Sequence, residues 1–484
     1  GIDLGNAAAQ AGMRSDNDWL ISNLEASEQI IVDLVDQAAQ GRFSRLRVRG
    51  GIVGMNDSVY GLFRRFENIN IDIGPSADLR NTHGTFAASL GGRTMRGSIS
   101  RTLDEAGNAR LEADFTNVDF AAFLPFIDVD GSAMALRGGG ALSIDVNFDA
   151  AAGKLVDGRF KVDLTGLDLR INKAYFPIAS SIMDINWTPA TGQFALQESA
   201  LQIGKSSMRL KGIFAMGLDP TYGPTLGMVL NARNVVVQPD DMAAPEAPFD
   251  SMEFSGWSAP LYGALGIDRL VARKGDALVE AAGRVDMLQA GMGVDLTVAG
   301  QGVVADDMKR LWPYLVATES REWFVANVTE GQVTQARMAF KFPAGSMGVG
   351  DEVKPIPPGA VKIDMVGTGV AVKPTASMAP IAVGGETRLH INDSDVTISA
   401  GGGRLATAAG TIVVSNPAIV MDNSDPADKI LEVSGDISGP IPAVLELVNT
   451  QHPDLLAGTT LPIDVTALTG TVDTGVVATI RLPD

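Results

Sequence analysis

The chain has no cysteine, which excludes a disulfide framework, a thiol nucleophile and every cysteine-ligated zinc or iron–sulfur centre. Histidine is scarce: His83, His390 and His452 lie too far apart to suggest one metal site, and no metal or other cofactor is expected. There is no H-E-x-x-H, no Walker loop, no G-x-S-x-G elbow and no G-x-G-x-x-G after a strand, so no catalytic residue is assigned and the chain reads as a non-enzyme. Positive charge is also short, with 38 Lys and Arg against 57 Asp and Glu for a net charge of -19. No basic stripe is present to neutralise phosphates, so nucleic acid is excluded as a partner. The acidic balance also argues against adhesion to anionic headgroups through surface charge, but it leaves contact with acyl chains open. No apolar run approaches the roughly 20 residues of a membrane span. The chain opens on Gly1 with no signal peptide, so the expectation is a fragment or processed form from which any N-terminal anchor has been removed.

What is present is alternation. From Ala141 to Phe148, Leu142, Ile144, Val146 and Phe148 alternate with Ser143, Asp145 and Asn147. Phe160, Val162 and Leu164 alternate with Lys161, Asp163 and Thr165, and Leu167, Leu169 and Ile171 with Asp168 and Arg170. Val294 to Val298, Met338 to Phe342 and Val361 to Met365 repeat the pattern. One apolar and one polar side marks antiparallel strands with a single dry face. Glycine runs such as Gly138-Gly139-Gly140 and Gly401-Gly402-Gly403 read as turns between them. The fold class is therefore mainly β, with few helices. Residues 18–40 carry Leu20, Leu24, Ile31, Val35 and Ala38 at helical spacing, with Ser15 or Asp16 as N-cap and Gly41 as stop. This amphipathic helix is expected to lie against the sheet. Proline-rich residues 239–249 and 344–359 read as connectors, the first dividing an N-terminal segment (1–238) from a C-terminal one (250–484).

Three windows share one plan: strand end, short apolar helix, X-Pro break, polar stretch, then a Gly that restarts an alternating strand. They run from Asn117 to Phe148, Gly302 to Phe340 and Gly435 to Ile480. The breaks are Leu124-Pro125, Trp312-Pro313 and His452-Pro453, and the restarting glycines Gly139, Gly331 and Gly470. Upstream, an alternating segment interrupted by glycine recurs at Gly97, Gly212, Gly283 and Gly410, where a kink or bulge is expected. Acidic pairs carry little information in so acidic a chain. The cluster of Asp422, Asp425 and Asp428 misses the calcium-loop spacing and reads as a solvated turn.

Residues 302–343 resemble a recurring segment of the AsmA-like proteins, the inner-membrane-anchored, periplasm-filling family of Gram-negative bacteria. The resemblance rests on Leu311-Trp312-Pro313, then Arg321, Trp323, Asn327 and Gly331, with Val333 and Ala336 opening the next strand. Residues 46–73 are similar to the family's opening strand–Gly–turn–strand unit, and the family's N-terminal membrane helix is missing from this chain. The resemblance implies a long, curved, mostly antiparallel repeat sheet folded as a taco-like groove. It also implies a periplasmic location, with a tether to the inner membrane through the missing helix. The implied function is passage of phospholipids between inner and outer membranes, with acyl chains and the membranes or their proteins as partners. On that expectation Leu142, Ile144, Val146, Phe148, Val162, Leu164, Met338 and Phe340 face the lipid. Trp312, Pro313, Arg321, Trp323 and Gly331 are structural. The alternative expectation is a scaffold that assists outer-membrane protein assembly or envelope integrity without carrying lipid. Alternating strands look alike over an open groove and over a closed core.

Overall fold

The structure, a computed structural model, describes residues 17–42, 44–57, 62–123, 134–149, 152–171, 174–242, 245–259, 262–288, 291–312, 318–347, 354–373, 380–422, 430–451 and 468–481. Strands make up 68% of the described residues and helices 12%. Helix α1 (Asp18–Ala39) comes first. It is followed by β1 (Leu46–Asp57), β2 (Leu62–Pro75), β3 (Thr82–Leu90), β4 (Arg93–Leu103) and β5 (Ala109–Val118), then a 3-10 turn at Phe120–Phe123. Next come β6 (Met134–Arg137), β7 (Gly140–Phe148), β8 (Leu155–Asp163), β9 (Asp168–Ile171), β10 (Ala174–Thr188), β11 (Gln193–Ile203), β12 (Ser206–Asp219) and β13 (Gly223–Val236). The middle continues with β14 (Phe249–Ala259), β15 (Ala264–Lys274), β16 (Ala277–Leu288), β17 (Gly291–Gln301), β18 (Val303–Val304), α2 (Ala305–Leu311) and α3 (Thr318–Asn327). The chain closes with β19 (Val328–Phe342), β20 (Val361–Val372), β21 (Ile381–Asn392), β22 (Asp395–Thr407), β23 (Gly410–Asp422), β24 (Ile430–Pro440), α4 (Ile441–Gln451) and β25 (Thr471–Arg481).

All 25 strands of the described residues join one antiparallel sheet that curves and does not close on itself. Nearly every strand pairs with its sequence neighbours, which short hairpin turns permit. The short β6, β9 and the start of β10 form a side branch, and β17 and β18 share β19 as partner. Because strands alternate in direction, connections fall on two opposite rims. Plain turns, such as those after β2, β4, β7, β10 and β12, occupy the hairpin rim. The turn at Phe120–Phe123, the α2–α3 pair and α4 all leave from the other rim, the helix rim.

The three repeat windows are thus equivalent excursions. In each, the strand before the helix pairs directly with the strand after it: β5 with β7, β17 with β19, β24 with β25. Gly139 and Gly470 immediately precede their strands, whereas Gly331 lies inside β19. Pro125, Pro313 and Pro453 lie outside the described residues. Residues 239–249 also form a helix-rim excursion, because β13 and β14 pair directly across them, Leu230 opposite Phe254.

Gly97 has no bulge beside it, and it and Gly212 serve a closer approach between strands. Gly97 sits between Phe86 and Phe115 of the flanking strands, whose rings meet edge-on at 6.0 Å across it. A Cβ on Gly97 would approach the Asp114 carbonyl and the Phe115 ring at 2.6 Å, and one on Gly212 would approach Val229 O at 2.3 Å. These glycines make room for a neighbour's side chain. Much of the bulging falls instead beside residues in left-handed conformations: Gly50, Asn68, Asn117, Gly369, Gly385 and Asn416. Asn tolerates that region better than most residues. Gly212 and Gly283 (φ 147°) do lie opposite register shifts, in β11 and β15, while Gly410 starts β23 after a turn. Gly401–Gly403 is interior to β22 and no turn. It lies where β21 carries its bulge and beside the one between β23 and β24, and three residues without Cβ let β22 follow both distortions.

Candidate functional site: one apolar face along the sheet

Cross-strand register places the apolar members of successive strands on one face. On β7, Leu142, Ile144, Val146 and Phe148 stand opposite Phe115, Ala113, Leu111 and Ala109 of β5. On their other side they meet Val162, Phe160, Gly158 and Leu155 of β8. The row continues through Met183 and Ile185 of β10, Leu196 of β11, Phe214 of β12, Met228 and Leu230 of β13 and Phe254 of β14. Past β15 and β16 it reaches Leu296 and Val298 of β17, then Phe340 and Met338 of β19, then Val361 and Ile363 of β20. Leu389 and Ile391, and then Ile398 and Val396, carry it to β22. Leu164 lies one residue beyond β8, its N–H bonded to Ser181 O. The other seven candidates for lipid contact therefore share one face with each other.

The reverse face is largely polar and carries cross-strand ion pairs. Arg110 binds Asp145 through two hydrogen bonds of 2.9 and 2.7 Å, and Arg159 binds Asp184. The Arg159 guanidinium holds the Asp184 carboxyl below its usual value, against a smaller opposing effect of burial. Arg209 with Glu198 and Arg269 with Glu280 extend the pattern. His390, exposed on this face, meets Asp364 at 2.7 Å.

Among the described residues, helices cover the apolar face only in patches. Near the hairpin rim, Ile31 and Leu34 of α1 pack with Ile73, Ala109, Leu111, Val146 and Phe148, so that Val146 is fully buried and Phe148 2% exposed. Helix α1 ends as expected at Gly41, but its N-cap is Asn17, whose side chain donates to Pro189 O at 3.1 Å instead of capping the helix. Next to it Trp187 stacks on Phe194 with centroids 5.4 Å apart. At the helix rim, Met308 of α2 and Phe324 of α3 pack on a cluster that contains Ile363, with Met338 against it, and that extends to Phe340 toward the hairpin rim. Helix α4 places Ala443, Val444 and Leu447 over Leu405 and Ile412. Between these patches Phe214, Met228, Leu230 and Phe254 are only half-buried, and none belongs to a helix-covered cluster of the described residues.

The motif residues form the clamp that holds the α2–α3 cover. Arg321, 2% exposed, donates to Trp312 O at 3.1 Å, to Lys309 O at 3.2 Å and to the Asp241 carboxylate. Arg310 donates to Asp307 at 3.1 Å and to Pro245 O, and Lys274 to Asp307 at 2.7 Å. The 239–249 excursion is thus pinned to α3 by the Arg321–Asp241 ion pair and to α2 by the Arg310 hydrogen bond to Pro245 O. Trp312 packs on Phe324 with centroids 5.8 Å apart, Trp323 is 42% exposed, and Gly331 adopts φ 143°. Pro313 lies outside the described residues. Sequence spacing had no means of revealing Asp241, 80 residues from its arginine. Among the described residues no group of three or more His, Asp or Glu is placed to hold a metal ion, and no helix is long and apolar enough to cross a membrane. No protein-family profile, curated protein or solved structure matches the chain.

Proposed function

We propose that this is a non-enzymatic, periplasmic bridge-like protein that carries phospholipids along its apolar sheet face between the inner and outer membranes, as its resemblance to AsmA-like proteins implies. The observation that carries the reading is the continuous apolar face, covered among the described residues by helices only at intervals. A long exposed apolar surface is unusual in a soluble monomer and calls for a ligand or partner. Acyl chains need apolar surface and little else, and Val, Leu, Ile, Met and Phe supply it here. The polar reverse face, laced with ion pairs, suits water. The scaffold reading draws support from the α1-covered end, where Val146 and Phe148 form a closed core.

The test is a photoreactive residue at Leu230, on the half-covered stretch, with Arg209 on the reverse face as control. Irradiation in Gram-negative cells should give a phospholipid adduct at position 230, read by mass spectrometry, and none at 209. No adduct at 230, or equal adducts at both, overturns the conduit in favour of the scaffold.

A further inference from the structure

Arg101 of β4 is a cation set into the apolar face. Its neighbours along the strand on that face are Ile99 and Leu103, which pack with the cluster beneath α1, and its cross-strand partners are Thr82 and Leu111. Arg101 is 7% exposed and, among the described residues, its ion-pair partner is Glu28 of α1, which accepts from Nε at 2.7 Å. Two oxygens at this spot are buried without a hydrogen-bond partner: Oε2 of Glu28 and Oγ1 of Thr82, a residue 1% exposed. A buried ion pair with unfilled hydrogen bonds holds a helix down poorly, because desolvation offsets much of the attraction. Apolar residues in place of both Arg101 and Glu28 would pack α1 at least as well. What an arginine beside an idle hydroxyl supplies is an anion site: a planar fork of donors and a second donor one strand away. The Glu28 carboxylate stands in for the anion, with one oxygen held and one left unfilled.

We infer that Arg101 and Thr82 form a binding site for the anionic phosphodiester headgroup of a lipid, which α1 closes with Glu28 as internal competitor. This rests on the conduit reading proposed above. The headgroup takes the place of the Glu28 carboxylate, and the acyl chains lie on the apolar positions that Ile31 and Leu34 now cover. The negative surface charge of the chain does not oppose this, because the cation acts locally within an apolar wall where screening is weak.

The experiment incubates the chain with vesicles of phosphatidylglycerol or phosphatidylcholine, reisolates it and counts co-purifying lipid. Glu28→Gln should raise phosphatidylglycerol uptake about threefold or more and leave phosphatidylcholine unchanged. Arg101→Leu should abolish the preference for phosphatidylglycerol, and Thr82→Val should reduce it. Inorganic phosphate at the same concentration should not displace the lipid; displacement would make free phosphate the ligand and overturn the lipid assignment. An Arg101→Leu protein that melts normally and keeps its preference makes Arg101 only a pin for α1. Should that variant fail to fold, unchanged uptake by Glu28→Gln overturns the proposal by itself. Lipid capture at Leu230 separates the two failures. With capture there and no effect of Arg101, this site alone is wrong; with no capture at all, the conduit reading falls too.

Discussion

Val146 and Leu230 both stand within a strand on the same apolar face, yet their surroundings differ. Val146 lies between Leu111 and Gly158 under α1, with no exposed surface. Leu230 lies between Gly212 and Phe254 and stays half-exposed. The local sequence around each is an equally regular alternation. What differs is a helix supplied from more than 100 residues away in one case and from nowhere among the described residues in the other. Alternation specifies which face is apolar; the cover decides whether that face is a core or a surface.

The sharpest way to break this comparison is a carboxylate at each position. Val146→Asp strands an unpaired charge under α1 and should destabilise the protein by on the order of 3–5 kcal/mol. Leu230→Asp gives up only partial burial and keeps its charge in contact with water, so about 1 kcal/mol is expected. Urea melts of the two variants read the difference, and equal losses would show that the middle of the face is as closed as the end. Ile144 is a poorer probe, because it already packs against the α1-covered cluster.

How far the sequence carried this reading follows from the range of each interaction. Period-two alternation placed β7, β8, β17, β19 and β20 and their apolar side, because the pleat is a local property. Helix α1 was legible at 18–40 from spacing and Gly41, and is found at Asp18–Ala39. The helix-rim excursions were legible as repeats because each must restart a strand. Contacts that join distant segments were not legible: Glu28 with Arg101, Arg321 with Asp241, Asn17 with Pro189. Nor was the use of Gly97 and Gly212 as gaps for a neighbour's side chain, since a glycine within a strand signals a bulge and a close approach equally. The asparagines at 68, 117 and 416 did hold a signal, because an Asn in an apolar-alternating strand suits the left-handed residue of a bulge.

Those glycines give a second, smaller contrast. Gly97→Ala and Gly212→Ala push a Cβ into backbone carbonyls at 2.6 and 2.3 Å, and strand shifts costing about 1–3 kcal/mol are expected. Gly54→Ala in β1 meets nothing within 4 Å, and there the loss of unfolded-state freedom should leave stability unchanged or raised by about 0.5 kcal/mol. Thermal melts of the three variants distinguish a gap-filling role from a bending one. If Gly212→Ala is neutral, the sheet has slack at its middle that the α1-covered end lacks.

The smallest effect compares two carboxylates. Asp184, at the N-terminal end, is held below its usual pKa by Arg159. Its contribution is therefore complete above the unfolded-state value of 3.8 and disappears as pH falls through the lower folded-state value. Asp268 lies at the bulge of β15 in the middle and, although its residue is exposed, desolvation raises its pKa. Its sign is opposite: the charged form is disfavoured in the folded state, so Asp268 weakens the protein near neutral pH and the penalty lifts as pH falls through the raised value. Asp184→Asn should thus cost a few tenths of a kcal/mol at pH 7 and nothing in strong acid, as befits a partly exposed ion pair. Asp268→Asn should be neutral or slightly stabilising at pH 7 and without effect in acid. Urea melts of both variants across pH 3 to 7 test the signs. A stabilising Asp184→Asn would show that its ladder of arginines does not hold the outer face together.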